Sequence, residues 1–302
     1  MASSKARIAL TYDFDGTLAP GNMQEQSFLP AVNVEPSRFW KEARAHAQQH
    51  DMDEILAYME LMLERSAAAK VPILRETFKG YGTKIKFFPG VDSWFDRINK
   101  FAATVGVGGA GAASGGGSGG VTTAHYIISS GNRETIEGTG IAGHFHRIFA
   151  SGFRYNENGV AVWPALAVNY TNKAQFLFRI NKGIENAHDN TTINKYTPEE
   201  NRPFPFKNFI YIGDGETDVP AMKMVTYQGG RSIVVYPKNK KERKAAAHDL
   251  VKQHRADIAV PADYSPNSLL ERAVKAAIQQ IAARHAFERC DTSPLKGVRP
   301  PK

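Results

Sequence analysis

Short apolar runs rich in β-branched and aromatic residues recur along the chain and alternate with stretches of helical periodicity. The first run, residues 7–13, ends in the turn chemistry of Gly16 and predicts a buried strand. Helical patterns lie between or after the later runs, for example at residues 173–181 and 266–286. Because strands that alternate with helices build a mostly parallel sheet covered on both faces, we predict an α/β fold with a Rossmann-like core. The later predicted strands are His125 to Ser129, Phe209 to Gly213, Ser232 to Tyr236 and Ala256 to Val260.

The stretch between the first two predicted strands has a different pattern. Residues 37–69 carry apolar side chains at helical spacing, and Ser37 is a candidate N-cap. The dipeptide Pro89-Gly90 ends this stretch, and residues 91–101 then predict a helix that leads back to the sheet. The apolar positions that carry the pattern are Phe39, Trp40, Ala43, Ala47, Ile55, Tyr58, Met59 and Met62.

This helical stretch defines the predicted domain organisation. We predict a helical cap over residues 22–86, inserted into a catalytic core that comprises residues 1–21 and 87–302. The insertion leaves the core just after the first strand, so we expect the cap to stand over the carboxyl edge of the sheet.

Two further segments are expected at the opposite, amino edge of the sheet. Residues 106–120 consist mostly of glycine, alanine and serine, which predicts a flexible loop within the core. Residues 106–111 match the dinucleotide-binding glycine pattern, but that fingerprint needs a strand before it and a helix after it, and here the order is reversed. The polar stretch 183–205 also precedes a strand. Ligands bind beyond the carboxyl edge of such sheets, so neither segment is expected at the site.

Composition narrows the class of protein. A chain of 302 residues with 42% hydrophobic content can bury an ordinary globular core. The single Cys290 can form neither an intramolecular disulfide nor a thiol-based zinc site, which is typical of a reducing compartment. We find no apolar run of membrane-spanning length and expect no secretory leader. A cytoplasmic protein without a membrane partner is therefore expected.

The formal net charge of +8 leaves an acidic partner open. The densest basic run, residues 238–244, leads into an alanine-rich helical stretch, and no aromatic residues interleave with its charges. A solvated helix start explains this run better than a nucleic-acid surface does. We do not expect nucleic-acid binding, and the charge does not identify a partner.

Polar residues that carry chemistry follow several predicted strands. Asp13 and Asp15 end the first strand, Ser130 and Gly131 follow the second, and Asp214 and Asp218 follow Gly213, while Lys173 opens a predicted helix. Taken singly, each group has a structural explanation: a turn, an N-cap or a solvated lysine. Together they place carboxylates, a hydroxyl and a lysine at one edge of one sheet, where open α/β folds build their sites.

The order of these motifs resembles that of the haloacid dehalogenase superfamily, and specifically of its phosphatases. The resemblance rests on Asp13-Phe-Asp-Gly-Thr17, a hydrophobic strand followed by Ser130-Gly131, then Lys173, then Gly213-Asp-Gly-x-x-Asp218. Dehalogenases of the superfamily lack the second aspartate of the first motif, so Asp15 indicates phosphoryl transfer instead. The insertion between the first two motifs is similar to the helical cap of phosphoserine-phosphatase-like members.

The resemblance implies a role for each motif residue. Asp13 would be the covalent nucleophile and Asp15 the acid/base partner, with Mg²⁺ held by Asp13, Asp214 and the backbone carbonyl of Asp15. Asp218 would support Lys173 or the waters of the metal. Ser130, Gly131 and Lys173 would bind the phosphoryl oxygens, with Ser129 as the alternative serine.

The function that these roles imply is a Mg²⁺-dependent phosphatase that hydrolyses a small phosphorylated metabolite through an aspartyl-phosphate. A phosphotransferase or mutase of the same superfamily is an alternative, because the phosphoryl group could pass to a second hydroxyl. An alternative of another class is a basic nucleic-acid-binding protein with a degenerate hydrolase fold; the intact set of acids argues against it. The natural substrate and the oligomeric state are not encoded in these motifs.

Other residues are candidates for substrate recognition. Where phosphoserine phosphatases keep a glutamate for the substrate amine, this chain has Asn22, with Glu25 nearby, which argues against phosphoserine as the substrate. We expect Asn22, Glu25, Arg38 and Lys84 of the cap to read the organic part of the substrate. Arg133 either reaches the substrate or caps the sheet edge. His144 and His146 fit alternation along a strand or loop better than a metal site.

Overall fold

A computed structural model of the protein describes residues 6–106 and 121–291. It contains strands β1 to β7 and helices α1 to α12. The strands are Arg7–Tyr12, Thr122–Asn132, Phe145–Tyr155, Ala161–Leu166, Phe209–Gly213, Arg231–Tyr236 and Ile258–Pro261. The helices are Met23–Gln26, Phe28–Ala31, Pro36–His50, Glu54–Ala69, Arg75–Gly82, Val91–Thr104, Arg133–Glu137, Lys173–Lys182, Asn190–Asn194, Val219–Tyr227, Lys241–Lys252 and Leu269–Asp291.

The strands form one seven-stranded sheet in the order β4-β3-β2-β1-β5-β6-β7. All neighbours pair in parallel except β3 and β4, which pair in antiparallel fashion at one edge. The predicted α/β fold with a mainly parallel sheet is therefore confirmed. Strand β1 lies centrally and pairs with both β2 and β5, so the residues that follow these strands meet at one edge.

Alternation along β1 divides the core between the two faces of the sheet. Ile8, Leu10 and Tyr12 face a cluster that contains residues of α6 and α12. Ala9 faces the other cluster, which is built from α8, α10 and α11. Helices therefore cover both faces, as a parallel sheet requires.

Helices α1 to α5, here called the inserted helices, lie between β1 and α6 in the chain. They have their own apolar cluster, which includes Phe39, Tyr58 and Phe78 and extends to Phe153 of β3 and Ala161 of β4. The inserted helices therefore pack on the antiparallel edge of the sheet. The boundaries 22–86 that we gave to the cap stay a prediction.

Several local details differ from the sequence-based expectations. Strands β3 and β4 were not predicted, and α3 begins at Pro36, with Glu35 rather than Ser37 at the N-cap position. Proline suits this first helical position because a backbone N–H there would have no intrahelical acceptor, so nothing is lost when proline lacks it. Most of the predicted glycine-rich loop, residues 107–120, lies outside the described residues.

The stretch 183–205 contains the short helix α9 and approaches the start of β1. Phe204 lies under the guanidinium group of Arg7, with 4.4 Å between the guanidinium carbon and the ring centroid. Because Arg7 is the first residue of β1, this stretch lies at the amino edge of the sheet, as expected.

Candidate active site

The first motif forms a tight turn directly after β1. The amide of Asp13 donates to the carbonyl of Ile212 (3.0 Å), which ties the turn to β5. The amide of Phe14 donates to Oδ1 of Asp13 (2.7 Å) and so fixes that carboxylate. Gly16 has a φ of +76°, and a Cβ atom there would lie 2.2 Å from Oδ2 of Asp214. Only glycine fits this turn, because a side chain would displace the carboxylate beyond it.

Lys173 forms ion pairs with a residue of the first motif and a residue of the last motif. Its side chain is completely buried, and Nζ lies 3.0 Å from Oδ2 of Asp13 and 2.7 Å from Oδ1 of Asp218. Burial alone opposes the charged form of the amine, but the two carboxylates outweigh it and raise the pKa of Lys173 above its ordinary value. Lys173 is therefore a fixed positive charge beside Asp13.

Both carboxylate oxygens of Asp218 are already engaged. Oδ1 accepts hydrogen bonds from Lys173 and from the hydroxyl of Tyr211, both at 2.7 Å. Oδ2 accepts from the amide of Asp214 at 3.1 Å. Asp218 thus orients both Lys173 and the backbone of Asp214.

Asp13, Asp214 and Asp218 form an acidic cluster in which one ligand atom from each residue lies within 4.8 Å of the others. Burial is the main cause that raises the pKa of Asp13 to about 6, while Lys173 opposes it. Burial and then repulsion by Asp218 raise the pKa of Asp214 to about 8. The cluster is therefore costly as a set of bare anions, and its oxygen donors are those that Mg²⁺ prefers. The residues present fit this ion.

Asp15 lies in the same turn as Asp13, two residues further along the chain. Its Oδ1 accepts a hydrogen bond from the amide of Met23 (3.0 Å), the first residue of α1. Burial, followed by the negative charge of Asp13, raises the pKa of Asp15 well above its usual range. Asp13 and Asp15 thus lie in one turn but have different partners.

The two serines at the end of β2 have different surroundings. Oγ of Ser129 accepts a hydrogen bond from the amide of Gly131 (3.0 Å), so this side chain holds the turn. Oγ of Ser130 is buried and has no hydrogen-bond partner in the described part of the chain. A buried hydroxyl without a hydrogen-bond partner lowers the stability of the fold, and a bound ligand oxygen could supply the missing partner. The geometry therefore favours Ser130 over Ser129 as a phosphoryl-binding side chain.

Gly131 leaves space where any side chain would intrude. A Cβ atom there would lie 2.2 Å from Cε of Met23 and 3.0 Å from Oδ2 of Asp15. Its amide is bonded to Ser129, so the phosphate-binding role of Gly131 stays a prediction.

The motif residues open into a cleft of about 910 Å³ between the sheet edge and the inserted helices. Asn22 and Glu25 line this cleft, and their role in reading the substrate stays a prediction. Arg38 and Lys84 are not among its lining residues, and Arg38 pairs with Glu42 on an exposed helix face. Sequence reasoning missed a further set of cleft residues, namely Gln24, Trp40, Arg44, Tyr58, Tyr170, Lys240 and Arg243.

These missed residues had little sequence signal. Trp40 and Tyr58 lie at the helical spacing that predicts a buried face, and both do contact apolar neighbours. Arg243 belongs to the basic run that begins α11, and the run is exposed, as predicted for a solvated helix start. Lys240 and Arg243 of this helix start nevertheless line the cleft.

The remaining candidates lie elsewhere. His144 approaches Asp96 (3.9 Å) and His146 pairs with Glu185 (2.7 Å). Across residues 6–106 and 121–291, neither histidine belongs to a group of three or more metal-ligating side chains.

Arg133 contacts Glu134 (3.1 Å) and Glu137 (3.7 Å), both on its own helix α7, and it does not line the cleft. Of the two roles left open for Arg133, a structural one at the sheet edge fits this geometry better.

The sequence profile of the haloacid dehalogenase-like hydrolases matches residues 10–223, a span that contains every motif described above. The chain belongs to this family. The expectation of a haloacid dehalogenase-like enzyme is therefore confirmed. An uncharacterized protein of Borreliella burgdorferi is 28% identical over 263 residues, which cover 78% of this chain and 86% of that protein.

Solved structures share the fold of this hydrolase at low sequence identity. A substrate-bound phosphoserine phosphatase has a TM-score of 0.52 and 13% identity, and the match covers 90% of this chain and 99% of that one. A HAD family hydrolase from Salmonella enterica subsp. enterica serovar Typhi has a TM-score of 0.52 and 14% identity, with coverage of 85% and 67%. In the described ranges, no helix has the length and apolar character needed to cross a bilayer.

Proposed function

We propose that this hydrolase is a Mg²⁺-dependent phosphatase that releases inorganic phosphate from a small phosphorylated metabolite, with Asp13 as the nucleophile. The observation that carries the proposal is the burial of Lys173 between Asp218 and Asp13, the latter of which lines the cleft. A carboxylate that attacks a phosphate ester must overcome like-charge repulsion, so fixed positive charge at this point is what the reaction needs.

Asp13, Asp214 and the backbone carbonyl of Asp15 would hold the Mg²⁺ ion, and Asp218 would orient the site through its bonds to Lys173 and to the Asp214 amide. When bound, the ion would offset the negative charge of the carboxylates and of the phosphoryl oxygens.

The first half-reaction uses both aspartates of the nucleophile turn. An oxygen of Asp13 forms a bond to phosphorus while the bond from phosphorus to the ester oxygen breaks. Asp15 donates a proton to that leaving oxygen, so the organic part of the substrate leaves as an alcohol while the phosphoryl group stays on Asp13. Ser130 and Lys173 hold the phosphoryl oxygens as the charge shifts.

The second half-reaction hydrolyses the aspartyl-phosphate. Asp15, now a carboxylate, takes a proton from a water molecule whose oxygen attacks phosphorus. The bond between phosphorus and Asp13 breaks, phosphate leaves, and Asp13 is restored. One residue therefore serves as acid and then as base, and Asp15→Asn should cripple turnover.

A screen of phosphorylated metabolites for phosphate release tests this proposal. We expect release with Mg²⁺ present, none after exhaustive chelation with EDTA, and recovery when Mg²⁺ is added back. Full activity after chelation would show that the reaction does not depend on a divalent metal ion. Transfer of phosphate to an added alcohol in place of water would favour the phosphotransferase alternative, and no reaction with any phosphate ester would contradict the proposal.

A further inference from the structure

A tyrosine of the inserted helices contacts the phosphoryl-binding loop directly. Tyr58 lies in α4, is only 4% exposed, and its hydroxyl donates a short hydrogen bond to the backbone carbonyl of Ser130. The aromatic body of Tyr58 packs edge-to-face against Trp40, with 5.7 Å between ring centroids. The ring is therefore held by packing, and the hydroxyl is aimed at the loop.

Two neighbouring contacts join the same pair of structural units. The amide of Met23 donates a hydrogen bond to Oδ1 of Asp15 (3.0 Å). Nε2 of Gln24 donates a hydrogen bond to Oδ1 of Asn132 (3.1 Å). Met23 and Gln24 belong to α1, so inserted helices contact both the nucleophile turn and the end of β2. The inserted helices thus touch loops that would act on the phosphoryl group, in addition to lining the cleft.

The bond to the Ser130 carbonyl bears on the hydroxyl of that residue. Fixing the carbonyl fixes the peptide plane between Ser130 and Gly131, and this limits where Oγ of Ser130 can point. That Oγ is buried and has no partner among the described residues, so it depends on its backbone for orientation. Misplacing a group at a reacting centre by about 1 Å can cost on the order of a hundredfold in rate.

We propose that Tyr58 is a positioning residue, which holds the Ser130 peptide so that the Ser130 hydroxyl is oriented toward the phosphoryl group of a substrate in the cleft. The inference rests on the proposed phosphatase function and extends it: the inserted helices help assemble the phosphoryl site as well as read the leaving group. Burial raises the pKa of Tyr58, and the negative charge of Asp15 adds to this, so the hydroxyl remains a donor.

The substitution Tyr58→Phe tests this role, because it removes the hydroxyl and keeps the ring. We expect kcat for phosphate release to fall roughly tenfold, the range of one buried hydrogen bond. The factor should be similar for a natural metabolite and for p-nitrophenyl phosphate, because the phosphoryl group is common to both. The matched control is Tyr81→Phe, which removes a hydroxyl from α5 outside the cleft, where Tyr81 packs on Phe78. This control should not change kcat.

A double-mutant cycle with Ser130→Ala separates positioning from direct contact with substrate. If Tyr58 acts through Ser130, adding Tyr58→Phe to Ser130→Ala should lower kcat by less than about twofold. An equal loss in both backgrounds would overturn the proposal, since the hydroxyl would then act independently of Ser130. Unchanged kcat in Tyr58→Phe, or a loss confined to one leaving group, would also overturn it.

Amide hydrogen exchange gives a readout that does not depend on turnover. We expect faster exchange at residues 129–133 in Tyr58→Phe than in the wild type or in Tyr81→Phe. Unchanged exchange there would contradict the restraint on the loop. If the wild-type protein releases no phosphate from any ester, but Tyr58→Phe still exchanges faster than the wild type at residues 129–133, the phosphatase function is refuted. Tyr58 would then be a purely structural contact.

Discussion

Lys173 and Asp218 are fully buried charged residues that stabilise each other, and Asp13 is the second carboxylate that pairs with Lys173. Buried ion pairs contribute little net stability, because desolvation cancels much of the attraction. Removing one partner is costly, however, since it leaves a buried charge without compensation. The arrangement is therefore better explained by chemistry at Asp13 than by stability of the fold.

His125 provides a residue-scale test of the core. Trp94 donates to the hydroxyl of Tyr12, which can then donate its own proton to Nδ1 of His125 (3.0 Å). Nε2 of His125 faces Oδ1 of Asn99 (2.8 Å), so the bonds favour a neutral ring protonated at Nε2. Burial, together with the nearby His144, lowers the pKa of His125 to about 3.

The pKa of His125 is about 6.5 in the unfolded chain and about 3 in the folded chain. Between these two pH values the unfolded chain binds a proton at His125 that the folded chain does not bind. His125 therefore makes stability fall as pH decreases through this window, by up to about 1.4 kcal/mol per pH unit. We expect His125→Gln to flatten the pH dependence of the free energy of unfolding, measured with urea between about pH 4 and pH 7. A slope in His125→Gln equal to that of the wild type would contradict the assignment.

At the scale of elements, α3 places one arginine in the cleft and another outside it. Arg44 lines the cleft, whereas Arg38 pairs with Glu42 and its side chain is 72% exposed. We propose that the cleft-facing residues of the inserted helices read the organic part of the substrate. Arg44→Gln should therefore change the ratio of kcat/KM between a metabolite and p-nitrophenyl phosphate by at least about threefold.

Arg38→Gln is the matched control for this prediction, because it removes the same type of charge from the same helix, and its ratio should stay at the wild-type value. The measurement is a substrate screen on folded variants. If Arg44→Gln lowers kcat/KM by the same factor for every substrate, the inserted helices do not select the leaving group through Arg44.

The elements that could be predicted are those with a strong local pattern. The central strands β1, β2 and β5 are apolar runs buried on both faces, and the motif residues follow from their ends. Strand β3 was missed because charged and polar residues such as Arg147 and Arg154 interrupt its pattern. The turn signal Asn158-Gly159 between β3 and β4 was available and indicates a hairpin.

Part of the candidate site could not be predicted for a different reason. Tyr58 and Trp40 have the spacing of core residues, and only the packing of α3 and α4 over the sheet edge brings them to the cleft. Ser129 and Ser130 are adjacent in sequence, and the resemblance alone favoured Ser130; no sequence pattern predicts the different hydrogen bonding of the two hydroxyls. Pattern identifies helices and strands, but long-range packing decides which side chains share a cleft.

At the scale of the whole molecule, Val105 and Val121, the described residues beside the glycine-rich segment, lie at the edge of the sheet opposite the candidate active site. Thr122 pairs with Arg7 at the start of β1, and Asp13 follows the other end of this six-residue strand, about 20 Å away. The amide of Val121 donates to the carbonyl of Val105 (3.3 Å), so the described residues that flank the segment are already close together.

Replacing residues 107–120 with a four-residue turn should therefore be tolerated. We expect kcat/KM for phosphate release to stay within a few-fold of the wild-type value, measured on a variant with a wild-type melting temperature. A large, specific loss of turnover in such a folded variant would show that the segment takes part in catalysis.

The most direct test of the account is the phosphate-release rate of Asp13→Asn. The substitution keeps the size of the side chain and removes the attacking carboxylate, so we predict a loss of at least about a thousandfold in kcat. Asp92→Asn, an exposed aspartate in the first turn of α6, is the matched control and should retain wild-type turnover. If a folded Asp13→Asn protein kept even a tenth of the wild-type rate, Asp13 would not be the nucleophile and the covalent mechanism would be wrong.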